Sequence, residues 1–295
     1  MIVIVNANNK FLTQDENNTL INEIYDKNNY VIKINDRGQQ DLCYIFFSSN
    51  GLYSVNNKES FEKQIIDEDR YEWSNLTANI NAYKEIYIRD IWLSWYVKGI
   101  NSEIHNIDLL ARWLKKETKG YRVRIVGMSS GGYIGALIGT IINAELCFCF
   151  SGQFSLENHN NHINDNILLK KYYDTRGHWY EIYNEIKKSR INIVYFFPEY
   201  VIHDKIQSHY VEKFENVISV SFNSKIHAKT IFSYDYPKLL EMDIEEIRML
   251  LSKLTKLPAS ALEFSYRLNG TYTASKLLLI KILKKFFYRL FIFRR

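Results

Sequence analysis

The 295-residue sequence contains only three prolines and three cysteines, and it has no long uninterrupted apolar stretch. No run approaches the ~20 apolar residues that a membrane-spanning helix needs, and the first segment, residues 1–6, lacks the basic flank and the long apolar core of a secretory signal. Cys43, Cys147 and Cys149 sit in apolar, strand-like segments, where unpaired thiols indicate a reducing compartment. These absences predict a protein that is made and kept in the cytoplasm.

Recognition motifs for nucleic acids and metals are missing as well. The net charge of +5 is small for this length, and the basic residues do not interleave with paired zinc ligands or heptads, so nucleic acid is not expected as a partner. His159 and His162 lack an accompanying carboxylate or cysteine cluster. They are interpreted as loop residues, and no metal is predicted.

Apolar, β-branched and aromatic segments recur along the chain, separated by helical or polar stretches. Several are apolar on both faces, which indicates strands covered on both sides, as in a mainly parallel sheet between two layers of helices. The sequence therefore predicts an α/β fold, a three-layer α/β/α sandwich. The predicted strands are residues 2–5, 30–34, 43–47, 85–88, 121–126, 146–150, 191–197 and 217–222, and the predicted crossover helices are residues 60–67, 103–117, 132–143, 164–173, 179–188 and 203–214.

The composition changes after Pro258, which predicts a main domain of residues 1–257 and a C-terminal helical extension of residues 258–295. After Pro237 the pattern becomes helical, with apolar residues near helical spacing over residues 239–254. Residues 274–295 are rich in Leu, Ile and Phe and predict a basic amphipathic helix. One interpretation is peripheral contact with the inner membrane, and the other is a helix packed on the body with a solvated basic stripe. The basic residues on one side are Lys281, Lys284, Lys285 and Arg289.

Residues 127–131 read Gly-Met-Ser-Ser-Gly, between a predicted strand and a helix of small residues. A nucleophile held on such a tight turn has unusual backbone angles, and Gly127 and Gly131 provide the space that it needs. Ser129 is therefore the predicted nucleophile, with Ser130 as the alternative and a helix-capping serine as the structural interpretation. The Ser130 N–H is predicted to face the developing oxyanion.

A serine hydroxyl needs a base, and candidates for an acid and a base follow downstream in loops after predicted strands. Asp204 is the preferred acid, with Glu199 in reserve, and His227 is the predicted general base. A helix-capping aspartate and an ordinary loop histidine are the alternatives. The second oxyanion donor is predicted in the loop after strand 43–47, from Asn50 or Gly51.

Another strand end carries Arg89, Asp90 and Trp92, which are expected either to line the site or to form structural pairs.

These motifs resemble the α/β-hydrolase superfamily over residues 2–254, most specifically at the turn around Ser129. More narrowly, the chain looks like α/β-hydrolase-fold proteins of bacterial surface-polysaccharide loci, which include capsule O-acetyltransferases. The segments that carry this narrower resemblance are residues 47–53, 126–133, 150–155 and 224–227.

The resemblance implies acyl transfer on a carbohydrate through an acyl-Ser129 intermediate, by an O-acetyltransferase or an O-acetyl esterase. His227 would then serve as base and acid, and Asp204 would orient it. No permanently bound cofactor is implied; acetyl-CoA is a candidate acyl donor, although no Gly-rich phosphate cradle marks a site for it. The alternative function is a non-catalytic binding or assembly factor on the same scaffold, recruited to the membrane by its tail.

Overall fold

The computed structural model describes residues 15–53, 56–77, 80–156, 168–169, 171–172 and 179–292, with side chains as far as residue 283. The described residues form a seven-stranded sheet of order β1-β3-β2-β4-β5-β6-β7, in which β1 runs antiparallel to β3 and every other pair is parallel. The predicted strand at residues 2–5 lies outside the described residues. The strands are β1 (Tyr30–Ile34), β2 (Leu42–Phe47), β3 (Lys84–Ile88), β4 (Arg122–Met128), β5 (Leu146–Phe150), β6 (Asn192–Pro198) and β7 (Val217–Phe222).

Helices cover both faces of this sheet. They are α1 (Thr19–Tyr25), α2 (Lys58–Phe61) with a π-helical continuation (Glu62–Asp67), α3 (Ile107–Glu117), α4 (Ser130–Ile142), α5 (Tyr183–Lys188), α6 (Ile202–Val211), α7 (Tyr236–Glu241) after a 3₁₀ turn (Ser233–Asp235), α8 (Ile244–Leu251), α9 (Ala261–Asn269) and α10 (Thr271–Ile292). Apolar residues of α3 to α6 pack on one face, and those of α7 to α9 pack on the other. The predicted three-layer sandwich is confirmed.

Strand β5 shows why the sequence folds this way. All five residues are buried, with Cys147 and Cys149 in the core on one face and Phe148 and Phe150 in the core on the other. An apolar residue at every position is the pattern of a strand that is covered on both sides. Burial raises the pKa of the Cys149 thiol to about 12, so this thiol is a protonated, apolar packing group.

The helical pattern predicted over residues 239–254 is confirmed, with a break inside it. The chain forms two helices there, α7 and α8, and it is extended at Met242 between them. Asp243 caps α8 by accepting the N–H of Glu246 at 2.8 Å, while the Glu246 carboxylate accepts the N–H of Asp243 at 2.9 Å. This reciprocal capping box starts a new helix at Ile244, although the apolar spacing continues across the break.

The segment after Pro258 begins in contact with the sheet. Ala259 forms a parallel bridge with Phe222 of β7, and Phe264 of α9 is fully buried in the core that α7 and α8 cover. The division into residues 1–257 and 258–295 stays a prediction, but α9 packs as part of the sandwich. Helix α10 follows after Gly270, and within the described part of the chain no helix is long and apolar enough to cross a membrane.

Candidate active site

Ser129 lies on a sharp turn between β4 and α4, with φ +52° and ψ −121°. A non-glycine residue rarely adopts this conformation, so packing around the turn must maintain it. The N–H of Ser129 donates to the Phe150 carbonyl at 2.8 Å. A methyl group on Gly127 would lie 2.0 Å from the Gly131 carbonyl oxygen, and one on Gly131 would lie 2.4 Å from that of Phe47. The two predicted glycines therefore provide the space that the turn needs.

The structure brings the three predicted catalytic side chains together at one edge of the sheet. The Ser129 hydroxyl lies 2.9 Å from His227 Nε2. His227 Nδ1 lies 2.8 Å from Asp204 Oδ2 and 3.1 Å from Oδ1. The Asp204 side chain is 2% exposed, whereas the His227 side chain is 43% exposed. A buried carboxylate thus holds a histidine whose other nitrogen reaches the serine at the surface.

The chemistry of Asp204 fixes the tautomer of His227. An ionised carboxylate only accepts hydrogen bonds, so Nδ1 carries the proton that it shares with Asp204, and Nε2 presents its lone pair to the Ser129 hydroxyl. Asp204 lies in the first turn of α6, where the positive end of the helix favours a negative charge. Ser129 can therefore lose its proton to His227 as it attacks an electrophile, and Asp204 stabilises the resulting imidazolium.

The reserve acid, Glu199, does not take this position. Its carboxylate pairs with Lys205 at 2.5 Å on the surface, while its N–H bonds the Phe222 carbonyl.

Ser130, the alternative nucleophile, is fully buried, and its hydroxyl faces the loop after β2. It donates to Asn50 Oδ1 at 2.9 Å and accepts the Asn50 N–H at 2.8 Å. The N–H of Ser130 begins α4 and has no acceptor within the helix, which suits it to bind an oxyanion. The hydroxyl of Ser130 thus ties two loops together, while its N–H fits the predicted role.

The two predicted second donors are already engaged in the structure. The Asn50 N–H donates to Ser130 Oγ, and the Gly51 N–H donates to Ser49 Oγ at 3.0 Å. An oxyanion that used either N–H would have to replace one of these hydroxyl acceptors. The assignment of the second donor to Asn50 or Gly51 stays a prediction.

Glu72 supports this loop and was not predicted as a site residue. Its carboxylate accepts the Ser49 N–H at 2.6 Å and the Ser49 hydroxyl at 3.0 Å. Through Ser49 Oγ the carboxylate also fixes the Gly51 N–H. Glu72 lies in the irregular segment between α2 and β3, and no sequence pattern places it beside a loop 23 residues earlier. Burial raises the pKa of Glu72 above its ordinary value.

This raised pKa predicts a pH-dependent contribution to stability. The folded protein holds the Glu72 proton more tightly than the unfolded chain, whose carboxyl titrates near the ordinary value of 4.5. Stability from Glu72 is therefore fully present below that pH and falls as the pH rises through the higher, folded-state pKa. Urea unfolding of the wild type and of Glu72→Gln, measured at pH values from 4.5 upward, tests this pH dependence. The difference in free energy of unfolding between the wild type and the variant should shrink with rising pH. A difference that does not change with pH would contradict a raised pKa for Glu72.

Arg89, Asp90 and Trp92 form structural pairs. The fully buried Asp90 carboxylate accepts the backbone N–H groups of Trp92, Ser94 and Tyr96 at 2.6 to 3.0 Å. Arg89 pairs with Asp69 at 2.9 Å. These contacts shape the loop after β3, whose Leu93 carbonyl accepts from the Asn50 side-chain amide.

Ser151 is a second residue that was not predicted as part of the site. It follows β5 with φ +50°, and its buried hydroxyl accepts the Ala228 N–H at 3.1 Å. Ala228 directly follows His227 and also has a positive φ, +60°. The sequence signal for Ser151 was its position as the first residue after the buried parallel strand β5, at the sheet edge where Ser129 and His227 also lie. Ser151 therefore anchors the loop that presents His227.

We expect Ser151→Ala to lower kcat about 3- to 10-fold for any reaction that uses His227, because the Ala228 N–H loses its acceptor and the loop loosens by about 1 kcal/mol. Steady-state kinetics with an activated acetyl ester measure the effect. Ser155→Ala is the matched control, since Ser155 is also a buried serine but its hydroxyl has no hydrogen-bond partner among the described residues. Equal effects of the two substitutions would show that Ser151 does not position His227.

Of the histidines that the structure describes, His227 is the one whose ring contacts the Ser129 hydroxyl. His105 lies 3.2 Å from the Ser102 carbonyl on the surface, whereas His159, His162 and His178 fall outside the described residues. Within the described ranges, no group of three or more His, Cys, Asp or Glu residues could hold a metal ion.

The sheet order and the turn at Ser129 are those of the α/β-hydrolase fold. A 2,6-dihydroxy-pseudo-oxynicotine hydrolase matches this fold with a TM-score of 0.50 at 9% identity, over 72% of this chain and 63% of its own. The predicted α/β-hydrolase fold is confirmed.

Two further solved structures are similar at lower scores. A capsule O-acetyltransferase of Neisseria meningitidis serogroup A matches with a TM-score of 0.46 at 12% identity, over 67% of this chain and 84% of its own. The esterase domain of a Rhodothermus marinus protein matches with a TM-score of 0.46 at 10% identity, over 71% and 88%. No protein-family model and no curated protein matches the sequence.

Proposed function

We propose that this protein is a serine-dependent acyltransferase or esterase that moves an acetyl group to or from a sugar hydroxyl in bacterial surface-polysaccharide biosynthesis. The observation that carries the proposal is the hydrogen-bonded line from buried Asp204 through His227 to Ser129, on a strained turn at the carboxyl edge of a parallel sheet. A helix-capping serine needs neither a histidine at 2.9 Å nor a carboxylate behind that histidine.

The reaction proceeds in two halves. Ser129 Oγ attacks the carbonyl carbon of the acetyl donor while His227 Nε2 takes its proton, and the Ser130 N–H binds the developing oxyanion. The tetrahedral intermediate then collapses, the leaving group receives the proton from His227, and acetyl-Ser129 remains. In the second half a sugar hydroxyl or water attacks, His227 takes its proton and returns it to Ser129.

The acceptor decides between the two activities. With acetyl-CoA as donor and a sugar hydroxyl as acceptor, the protein is an O-acetyltransferase; with an acetylated sugar as donor and water as acceptor, it is an esterase. The carbohydrate substrate is supported by the sequence resemblance at residues 47–53, 126–133, 150–155 and 224–227. In this proposal the acetyl donor and the acceptor bind transiently, no cofactor is permanently bound, and the reaction takes place in the cytoplasm.

Incubation with acetyl-labelled acetyl-CoA and a panel of bacterial capsule oligosaccharides tests the proposal, with Ser129→Ala as the control. Label on the glycan identifies a transferase, and release of acetate from acetylated glycans identifies an esterase. Either activity must vanish in Ser129→Ala. A folded wild-type protein that catalyses neither reaction, and hydrolyses no activated acetyl ester, would overturn the proposal and favour a binding or assembly factor.

A further inference from the structure

Helix α10 turns an apolar surface away from the body of the protein. On its inner side Ala274 is fully buried, and the Lys281 ammonium lies 4.6 Å from the centre of the Phe232 ring. Of the predicted basic stripe, Lys281 packs on an aromatic ring of the body, and the side chains of Lys284, Lys285 and Arg289 lie outside the described residues. The Lys281 contact orients the helix and leaves other residues facing outward.

Five of the exposed residues described on α10 are large and apolar. We call Tyr272, Leu279, Ile280, Ile282 and Leu283 the outer face of α10. Leu279 and Ile282 are each 56% exposed, Leu283 is 45% exposed and Tyr272 is 82% exposed. A group of exposed apolar side chains on one helix marks an interaction surface, because the free energy falls when a partner removes these side chains from water.

The charge of the same segment identifies the kind of partner. Residues 271–295 contain seven Lys or Arg residues and no Asp or Glu. Each basic residue near an anionic lipid surface contributes about 1 kcal/mol to binding, whereas two copies of so basic a segment repel each other. Leucine, isoleucine and aromatic side chains combined with lysine are the composition of helices that lie in the membrane interface. The seven basic residues are Lys276, Lys281, Lys284, Lys285, Arg289, Arg294 and Arg295.

We propose that the outer face of α10 binds the surface of anionic lipid bilayers. Leu279 and Leu283 insert among the acyl chains near the headgroups, and Lys276, which is exposed beside them, contacts the lipid phosphates. The contact of Lys281 with Phe232 holds the helix against the segment that follows the His227 loop. Membrane binding by α10 is independent of the acyl-transfer chemistry at Ser129.

Flotation of the full-length protein with lipid vesicles tests the proposal. One set of vesicles contains phosphatidylcholine alone, and the other contains about 30% phosphatidylglycerol to supply a negative surface. We expect the protein to float with the anionic vesicles, at least about tenfold more than with the neutral ones, and to be released as the salt concentration rises. Equal partitioning into both sets, or none into either, would overturn the proposal.

Substitutions locate the surface. The double variant Leu279→Gln and Leu283→Gln should bind anionic vesicles at least about tenfold more weakly, and Lys276→Gln about fivefold more weakly. Met249→Gln and Lys253→Gln on and beside α8 are the matched controls, because Met249 is also an exposed apolar residue, at 57%, and Lys253 is also exposed. Circular dichroism and thermal unfolding verify that each variant is folded.

Binding that the α10 and the control substitutions weaken equally would contradict the assignment to the outer face. Sedimentation velocity gives the competing outcome. Concentration-dependent self-association that disappears in the double leucine variant, without vesicle binding by the wild type, would assign the face to a second copy of the chain instead.

Discussion

Replacing Ser129 by alanine is expected to lower kcat/KM for hydrolysis of an activated acetyl ester by at least about 10⁴-fold. The substitution removes the hydroxyl that lies 2.9 Å from His227 Nε2, so no acyl-enzyme can form. The backbone hydrogen bond from residue 129 to the Phe150 carbonyl is retained, and the fold should therefore persist. Kinetics with p-nitrophenyl acetate measure the loss, and thermal unfolding verifies the fold.

Ser130→Ala provides the matched control, because it deletes a hydroxyl one residue away. That hydroxyl bonds Asn50 and not His227, and alanine keeps the N–H that is proposed to bind the oxyanion. We expect the Ser130 variant to stay within about tenfold of the wild type. The opposite result, an active Ser129→Ala protein and an inactive Ser130→Ala protein, would move the nucleophile to Ser130.

The second large effect is expected for Asp204→Asn, which should lower kcat about 10³- to 10⁴-fold. An asparagine amide can donate to His227 Nδ1, which favours the tautomer with its proton on Nε2, and that nitrogen can then no longer accept from Ser129. The substitution conserves shape at a buried position, so the fold is expected to remain intact. Values of kcat for the activated ester, measured on folded protein, check this prediction.

Glu199→Gln is the control for the choice of acid. Glu199 follows the same strand but pairs with Lys205 at the surface, where an ion pair contributes little. We expect its kcat to stay within about twofold of the wild type. If Glu199→Gln lost as much activity as Asp204→Asn, the single-acid assignment would fail.

The strands were predictable because burial on both faces leaves a simple pattern. The predicted segments at 146–150 and 217–222 coincide with β5 and β7. Helix ends depend on local capping, and the capping box of Asp243 and Glu246 divides a segment whose apolar spacing is helical on both sides of the break. Periodicity reports which face is buried, but it does not report where the backbone hydrogen bonds stop.

The order of the catalytic candidates was also predictable. Parallel strands end at the same edge of a sheet, so loops after β4, β6 and β7 place Ser129, Asp204 and His227 near one another, although 98 residues separate Ser129 from His227. The supporting residues were not predictable in the same way. Ser151 and Glu72 act through the conformations of their loops, and single side-chain to backbone contacts leave no periodic signal.

If Ser129 is the nucleophile, acetyl-Ser129 forms during the reaction. Mass spectrometry of protein quenched in acid within the first turnovers on p-nitrophenyl acetate tests it most directly, followed by peptide mapping. We expect one acetyl group on Ser129 in the wild type, greater accumulation when deacylation is slowed, and none in Ser129→Ala. Turnover that proceeds with the acetyl group on another residue, or with no covalent intermediate on Ser129, would contradict it.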